Sequence, residues 1–312
     1  MSDKISCPLC AGASLSLITN KLRFNRSADV YRCLSCGLTF LDQESFKFPA
    51  GFYEKEYHQT YLTHVEPAAL DPNAYFEKMR RSTKVWADKF STLLTGNETV
   101  LDIGCSTGHF MDLIKAKAGK IYGSELSAKE VEFCRDKLNF DVSSEPLEKR
   151  FAPGTFDYIT LIYVLEHIAE PQGFLKKIKG FLKPKGKLVI LVPNIQDALM
   201  SFYDIPEFSA FYYCIEHLFY YSQDTIKLLF DKAGLSGAVE VLQEYPITNH
   251  LNWAYRRAPS DTLASRKGLP DVSLKENTDH AGWEVFWEEF NARYREFLRR
   301  NGCGDRLWCV VG

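Results

Sequence analysis

Residues Thr99 to Phe110, TVLDIGCSTGHF, constrain this chain more than any other stretch. An apolar run ends in Asp102, a tight turn follows through Gly104, Cys105, Ser106 and Thr107 to Gly108, and an amphipathic helix begins. A buried strand that delivers a glycine turn into a helix N-terminus is how α/β folds seat an adenosyl ligand at the carboxyl ends of their strands. Two ligand types compete for such a turn. A dinucleotide turn reads G-x-G-x-x-G, but here Ser106 stands at the middle glycine position and the third glycine is missing. Asp102, ahead of the first glycine, suits a ligand carrying an ammonium and a sulfonium rather than a pyrophosphate. Glu125, some twenty residues on, would accept from ribose hydroxyls in either case.

Downstream, strands and helices alternate. Lys120 to Glu125 is a second strand, and Ser127 reads as the N-cap of a helix over 128–138, with Glu130 closing a capping box. Asp141 to Ser144 is a weak third strand, Phe156 to Tyr163 a fourth, Lys187 to Val192 a fifth and Val239 to Tyr245 a sixth. Helices fill the intervals, and Leu307 to Val311 reads as an antiparallel seventh strand. This alternation means βαβ units and a mostly parallel, doubly wound, Rossmann-like sheet. Upstream, a helix over 73–94 carries Phe76, Met79, Val85, Trp86 and Phe90 at helical spacing, a stripe that reads as core.

The nine cysteines divide into two C-x-x-C pairs and five singles. Cys7-Pro-Leu-Cys10 and Cys33-Leu-Ser-Cys36 supply a tetrahedral four-thiolate set, and Gly12 and Gly37 suit the backbone angles of such knuckles. Residues 1–45 therefore read as a zinc ribbon with a structural Zn2+. The odd count without a secretion signal argues against a disulfide framework.

A net charge of −2 over 312 residues argues against nucleic acid or an anionic membrane as the main partner. No apolar stretch reaches the ~20 residues of a membrane span, and the N-terminus has no apolar signal core. A cytoplasmic location is the expectation. Tyrosines cluster between Tyr53 and Tyr75 and between Tyr203 and Tyr221, a pattern of packed or ligand-facing surfaces.

The motifs VLDIGCSTGHF, IYGSELS, FDYITLIYVLEHIAEP and LKPKGKLVILVPN, in this order and spacing over residues 73–245, resemble those of class I S-adenosyl-L-methionine-dependent methyltransferases. The resemblance implies a seven-stranded sheet whose last strand is antiparallel. It implies Asp102, Gly104, Cys105 and Gly108 around the methionine portion and Glu125 with Leu126 at the ribose. Leu147 would flank the adenine, and Ile162 and Tyr163 the sulfonium. Together with a tyrosine-rich lid and a Glu-His followed by Tyr-Tyr-Ser, the ribbon narrows the likeness to zinc-binding methyltransferases of deoxysugar and nucleotide-sugar pathways. That likeness implies His217 as general base, Glu216 as its neighbour and Tyr57 as a lid residue.

Sugar C-methyltransferases of this type carry a further large C-terminal domain, which the residues after the sixth strand do not match. O-methylation of a nucleotide-linked or surface-polysaccharide sugar is the preferred expectation. C- or N-methylation of a sugar or natural product, and an RNA or protein acceptor recognised through the ribbon, are the alternatives. The expected division is a ribbon over 1–45, a helical lid over 46–95, a cofactor domain over 96–246 plus 305–312, and an insertion over 247–304 as substrate-side cover.

Overall fold

The computed structural model describes residues 5–43, 45–46, 71–259, 268–270 and 272–312. Tyr57 and most of the expected lid lie outside the described residues. The described chain divides into two units, one from residues 5–46, 191–229 and 239–308, the other from 71–190, 230–238 and 309–312.

The second unit is organised on β4 (Thr99–Ile103), β5 (Lys120–Ser124), β6 (Asp141–Ser143) and β7 (Phe156–Ile162). β4 pairs in parallel with β5 and with β7, and β5 with β6. With β8 (Leu182–Pro193), β10 (Gly237–Leu242) and β11 (Arg306–Val311), the sheet order is β10-β11-β8-β7-β4-β5-β6, and its last strands are antiparallel, as the sequence predicts. The chain moves outward from β4 through β5 to β6, then returns to the other side of β4 with β7. The topological switch, where such sheets open a crevice at their carboxyl ends, therefore lies between β4 and β7.

Helix α1 (Pro72–Ser91) starts one residue before its expected N-terminus because Asp71 caps it, accepting from Asn73 N at 3.1 Å and Ala74 N at 3.4 Å, with Pro72 in the first turn. Phe76, Trp86 and Phe90 are buried, and the Phe90 ring packs on Phe110 at 5.7 Å and edge-on to Tyr158 at 5.4 Å. Val85, read as part of the same stripe, is instead 52% exposed. It follows Lys84 on the face that carries the Lys84–Asp88 ion pair.

Helix α2 (His109–Ile114) leaves the β4 turn, and α3 (Ala128–Leu138) occupies the predicted residues. The expected capping box at α3 does not form. Ser127 makes no side-chain cap bond, and Glu130 turns its Oε1 to accept from Ser106 Oγ at 3.0 Å. The side chain that would have closed the box is used to brace the glycine turn.

In the first unit, β1 (Leu15–Leu22), β2 (Arg26–Cys33) and β3 (Thr39–Leu41) form an antiparallel meander. The sheet gains a fourth strand, β9 (Phe219–Tyr220), from far along the chain, with Thr39 opposite Tyr220 and Phe40 opposite Phe219. The aromatic segment after β8 folds as two short helices, α6 (Ala198–Ser201) and α7 (Pro206–Tyr212); α4 (Leu147–Arg150), α5 (Pro171–Lys179) and α8 (Gln223–Ala233) are further α-helices of the described residues before β10. Beyond β10, α9 (Ile247–Arg256) and α10 (His280–Arg300) build the late insertion. Asp305 anchors it: fully buried, its carboxylate accepts from Glu244 N at 2.8 Å, Tyr245 N at 2.9 Å and Gln243 Nε2 at 3.1 Å. No helix of the described residues is long and apolar enough to cross a membrane.

Candidate functional site

The β4 turn is a backbone construction. Gly104 and Gly108 sit at φ +70° and +72°, the left-handed region that glycine enters without a steric penalty. A Cβ at Gly104 would also lie 2.6 Å from Val164 Cγ2. Gly104→Ala is therefore expected to cost about 2–4 kcal/mol in denaturant unfolding, with Val164→Ala restoring the steric part only. Ser106, at the position where dinucleotide turns place glycine, adopts φ 49°, and Tyr163 at the end of β7 adopts φ 57°. Left-handed non-glycine residues at the ends of two strands flanking the switch point store strain where a ligand site is expected.

Asp102 is 2% exposed and lies in register with Gly123 on one side and Thr160 on the other. Thr160 Oγ1 donates to Asp102 Oδ1 at 2.6 Å. Burial pushes the Asp102 carboxyl up to about 7; the Thr160 bond opposes the shift and the Glu125 charge adds to it. A buried acid held this way fits a ligand that brings its own positive charge. Glu125, half-buried at the end of β5, gathers three backbone amides: Ser106 N at 2.9 Å on Oε2, Leu126 N at 2.7 Å and Ser127 N at 2.9 Å on Oε1. Its carboxylate is thereby fixed beside the turn, with two amides on Oε1 and one on Oε2.

The other residues expected at the cofactor fall as follows. Cys105 packs into an apolar cluster with Met111, Val131, Cys134 and Val142, and its thiol is raised by the neighbouring Cys134 and by burial. Only its backbone is available to a ligand in the turn. Leu126 is 54% exposed, Leu147 is buried, and Ile162 and Tyr163 are half-buried at the end of β7. His109 is buried beside Thr107, and desolvation lowers it to about 4, which keeps the ring neutral.

Sequence reasoning missed Thr160, Gly123 and the Ser106–Glu130 brace. Thr160 had a signal: a lone hydroxyl inside the otherwise apolar run Ile159 to Ile162. Gly123 is required because a Cβ there would meet Val142 Cγ2 at 2.6 Å and Cys105 Sγ at 2.8 Å.

The four N-terminal cysteines converge. Their sulfur atoms all lie within 4.8 Å of one another, with Cys7 and Cys36 at 3.6 Å and Cys10 and Cys33 at 3.5 Å. Four thiolates at the ~2.3 Å bond length of tetrahedral zinc stand roughly 3.8 Å apart, so the donor set fits a closed tetrathiolate ion. Cys33 is brought down to about 7: burial opposes ionisation, but the Cys36 and Ser35 amides outweigh it. Gly37 has φ +82°, as its knuckle requires. In the first knuckle the left-handed residue is Ala11, at φ 59°. Gly12 is needed for space instead, since a Cβ would lie 2.9 Å from Ser35 Oγ and 3.2 Å from Cys10 Sγ.

Glu216 and His217 stand on the loop between α7 and β9. Glu216 is buried and His217 half-buried, its ring 6.0 Å from that of Tyr220. Cys214 on the same loop is raised to about 12 by burial; the Arg23 charge opposes the shift and Glu216 reinforces it.

A family model described as a methyltransferase domain matches residues 75–239. That is more than half of the chain, and the protein belongs to this family, the class I S-adenosylmethionine-dependent methyltransferases. Among curated proteins it is similar to the ubiquinone biosynthesis O-methyltransferase of Paraburkholderia xenovorans, 29% identical over 127 residues, covering 37% of this chain and 53% of that protein. It is also similar to the protein of the same description from Dechloromonas aromatica, 25% identical over 135 residues, covering 40% and 57%. The chain thus spans about half the length of the curated relatives it matches. Among solved structures, a SAM-dependent methyltransferase from Archaeoglobus fulgidus superposes with a TM-score of 0.48 at 19% identity, covering 74% of this chain and 93% of that one.

Proposed function

We propose that the protein methylates a hydroxyl of a small acceptor, a nucleotide-linked or surface-polysaccharide sugar, with S-adenosyl-L-methionine as methyl donor. The observation that carries the donor half of this reading is a buried acid at the end of β4, Asp102, with a second carboxylate fixed by three amides at the end of β5, Glu125. When bound, S-adenosylmethionine supplies an activated methyl group on a sulfonium. Asp102 supplies negative charge in a water-excluded site, the Gly104 to Gly108 turn allows close backbone approach, and Glu125 accepts from vicinal hydroxyls. The similarity to curated proteins named as O-methyltransferases supports an oxygen acceptor.

Calorimetry with S-adenosylmethionine and its demethylated product tests the cofactor reading. Glu125→Ala is expected to weaken both ligands by about 10²-fold, because it removes the hydroxyl acceptor and frees the Ser106 amide together. Full-affinity binding by this variant would remove Glu125 from the site.

For the transfer, the acceptor hydroxyl must lose a proton, and His217 is the group we assign to take it. Histidine is the side chain most often used as a general base at neutral pH. Tyr57 is assigned to contact the acceptor. In a nucleotide-sugar panel read by mass gain, His217→Ala is expected to lower kcat by about 10²–10⁴ and Tyr57→Phe by about tenfold, with S-adenosylmethionine affinity unchanged. Undiminished turnover by His217→Ala would end its assignment as base. The four cysteines are assigned a structural zinc ion, which with four protein ligands has no open position for chemistry.

A further inference from the structure

The loop Cys214–His217 is held at both ends by the N-terminal module, through main chain. On its upstream side Arg23 N donates to Tyr213 O at 2.8 Å. On its downstream side Leu41 N donates to Leu218 O at 2.9 Å, and β3 then runs beside β9. The Arg23 side chain reinforces the first anchor: its Nε donates to Phe211 O, and the guanidinium stands 3.9 Å over the Phe211 ring. Inside the loop the Tyr220 hydroxyl donates to Cys214 O at 2.9 Å and accepts from Cys214 N at 3.0 Å. The four residues that end in His217 are therefore tied at three points.

In the hairpin that delivers Arg23, Phe24 and Asn25 follow it at φ 59° and 56°, uncommon for a bulky residue such as Phe24 but a region asparagine enters readily. The other anchor starts from the metal site, because the turn between β2 and β3 is the Cys33–Cys36 knuckle.

We propose that the N-terminal metal module is a positioning device for His217: Arg23 and β3 clamp the two ends of the loop Cys214–His217, and the metal fixes the turn from which β3 departs. Arg23 is a positioning residue. The catalytic meaning of the clamp rests on the assignment of His217 as base, whereas the clamp itself does not. A base must stay within hydrogen-bond reach of the acceptor proton, and a displacement of about 1 Å costs on the order of 10²-fold in rate.

The test uses the full zinc-loaded chain, Arg23→Ala and Arg23→Lys, and the parent protein after zinc removal by chelation. Hydrogen exchange is followed by mass spectrometry across 211–221, and the His217 imidazole is titrated by NMR, its signal assigned with His217→Asn. Exchange over 213–221 is expected to rise about tenfold or more in Arg23→Ala and on chelation. Arg23→Lys should fall between, since it keeps the charge without the planar stack. The His217 titration should move in the same samples, while calorimetric affinity for S-adenosylmethionine stays within about twofold. Folded, zinc-loaded Arg23→Ala with unchanged exchange and an unchanged imidazole titration would overturn the proposal. Should Arg23→Ala not fold, unchanged exchange after chelation overturns it equally. If the loop loosens as expected but His217→Asn still turns over the nucleotide-sugar panel at the parent rate, the clamp stands and the base assignment falls.

Discussion

Asp102→Asn is expected to lose at least about 10²-fold in affinity for S-adenosylmethionine and yet to melt a few degrees higher than the parent protein at pH 8, both ligand-free. The two effects have one cause. Asp102 is held at about 7 by burial, above its ordinary 3.8, so between these values the native state keeps a proton that the unfolded chain has released. The stability tied to that proton is complete below about pH 4 and is lost as pH rises to about 7. Above pH 7 the ligand-free protein carries a desolvated carboxylate that accepts a hydrogen bond from Thr160. Asparagine keeps an acceptor for Thr160 and carries no charge, so it relieves that cost and removes the counter-charge for the ligand. In the parent protein, affinity for the cationic ligand should be constant above about pH 7 and fall by about tenfold per unit below it; in Asp102→Asn that limb should vanish. Calorimetry between pH 5.5 and 8.5 and thermal unfolding at pH 8 check both halves. A pH-independent affinity in the parent would show that Asp102 does not face the positive charge.

Purified protein is expected to hold one zinc ion per chain by metal analysis, and Cys33→Ser to lose it. Cys33 is fully buried in β2, and its sulfur faces that of Cys10. Structural zinc in small domains carries apparent binding energies of about 10–16 kcal/mol, comparable to the whole stability of a domain. Loss of the ion is therefore expected to unfold residues 5–43 as a group rather than loosen one knuckle. The fall in thermal stability should be large and should reappear in the parent protein on chelation. Stoichiometric zinc in Cys33→Ser, or an unshifted melting curve after complete chelation, would remove the metal from the structural role assigned to it.

The seven-stranded sheet was legible because its strands are short apolar runs broken by turn residues, and because Gly104 and Gly108 mark the turn that joins β4 to α2. The pairing of Asp102 with Thr160 depends on register between strands separated by the whole of β5, β6 and their helices, and no local pattern records it. The capping box at Ser127 was a correct local reading overruled by a tertiary one, since Glu130 gains more from the Ser106 hydroxyl of the turn than from the helix end. The two-residue strand β9 carries no periodicity at all; its place beside β3 is set by a partner in the N-terminal module. The left-handed Ser106 and Tyr163 were equally invisible, because only surrounding structure can hold such residues there. Within the candidate site, the acids and glycines could be read from spacing, whereas what fixes them, Thr160, Gly123 and the amides on Glu125, could not.

The late arrival of β9 bears on how the chain is made. All four cysteines and β3 leave the ribosome early, but at ~5–20 residues per second Phe219 and Tyr220 follow Leu41 by about 180 residues, a delay of roughly ten to thirty-five seconds. Throughout that interval the edge of β3 has no neighbouring strand, and an open edge is a template for pairing with other chains. A metal bound as soon as Cys36 emerges would hold the hairpin in shape while it waits. Cells starved of zinc during expression should accordingly yield aggregated protein.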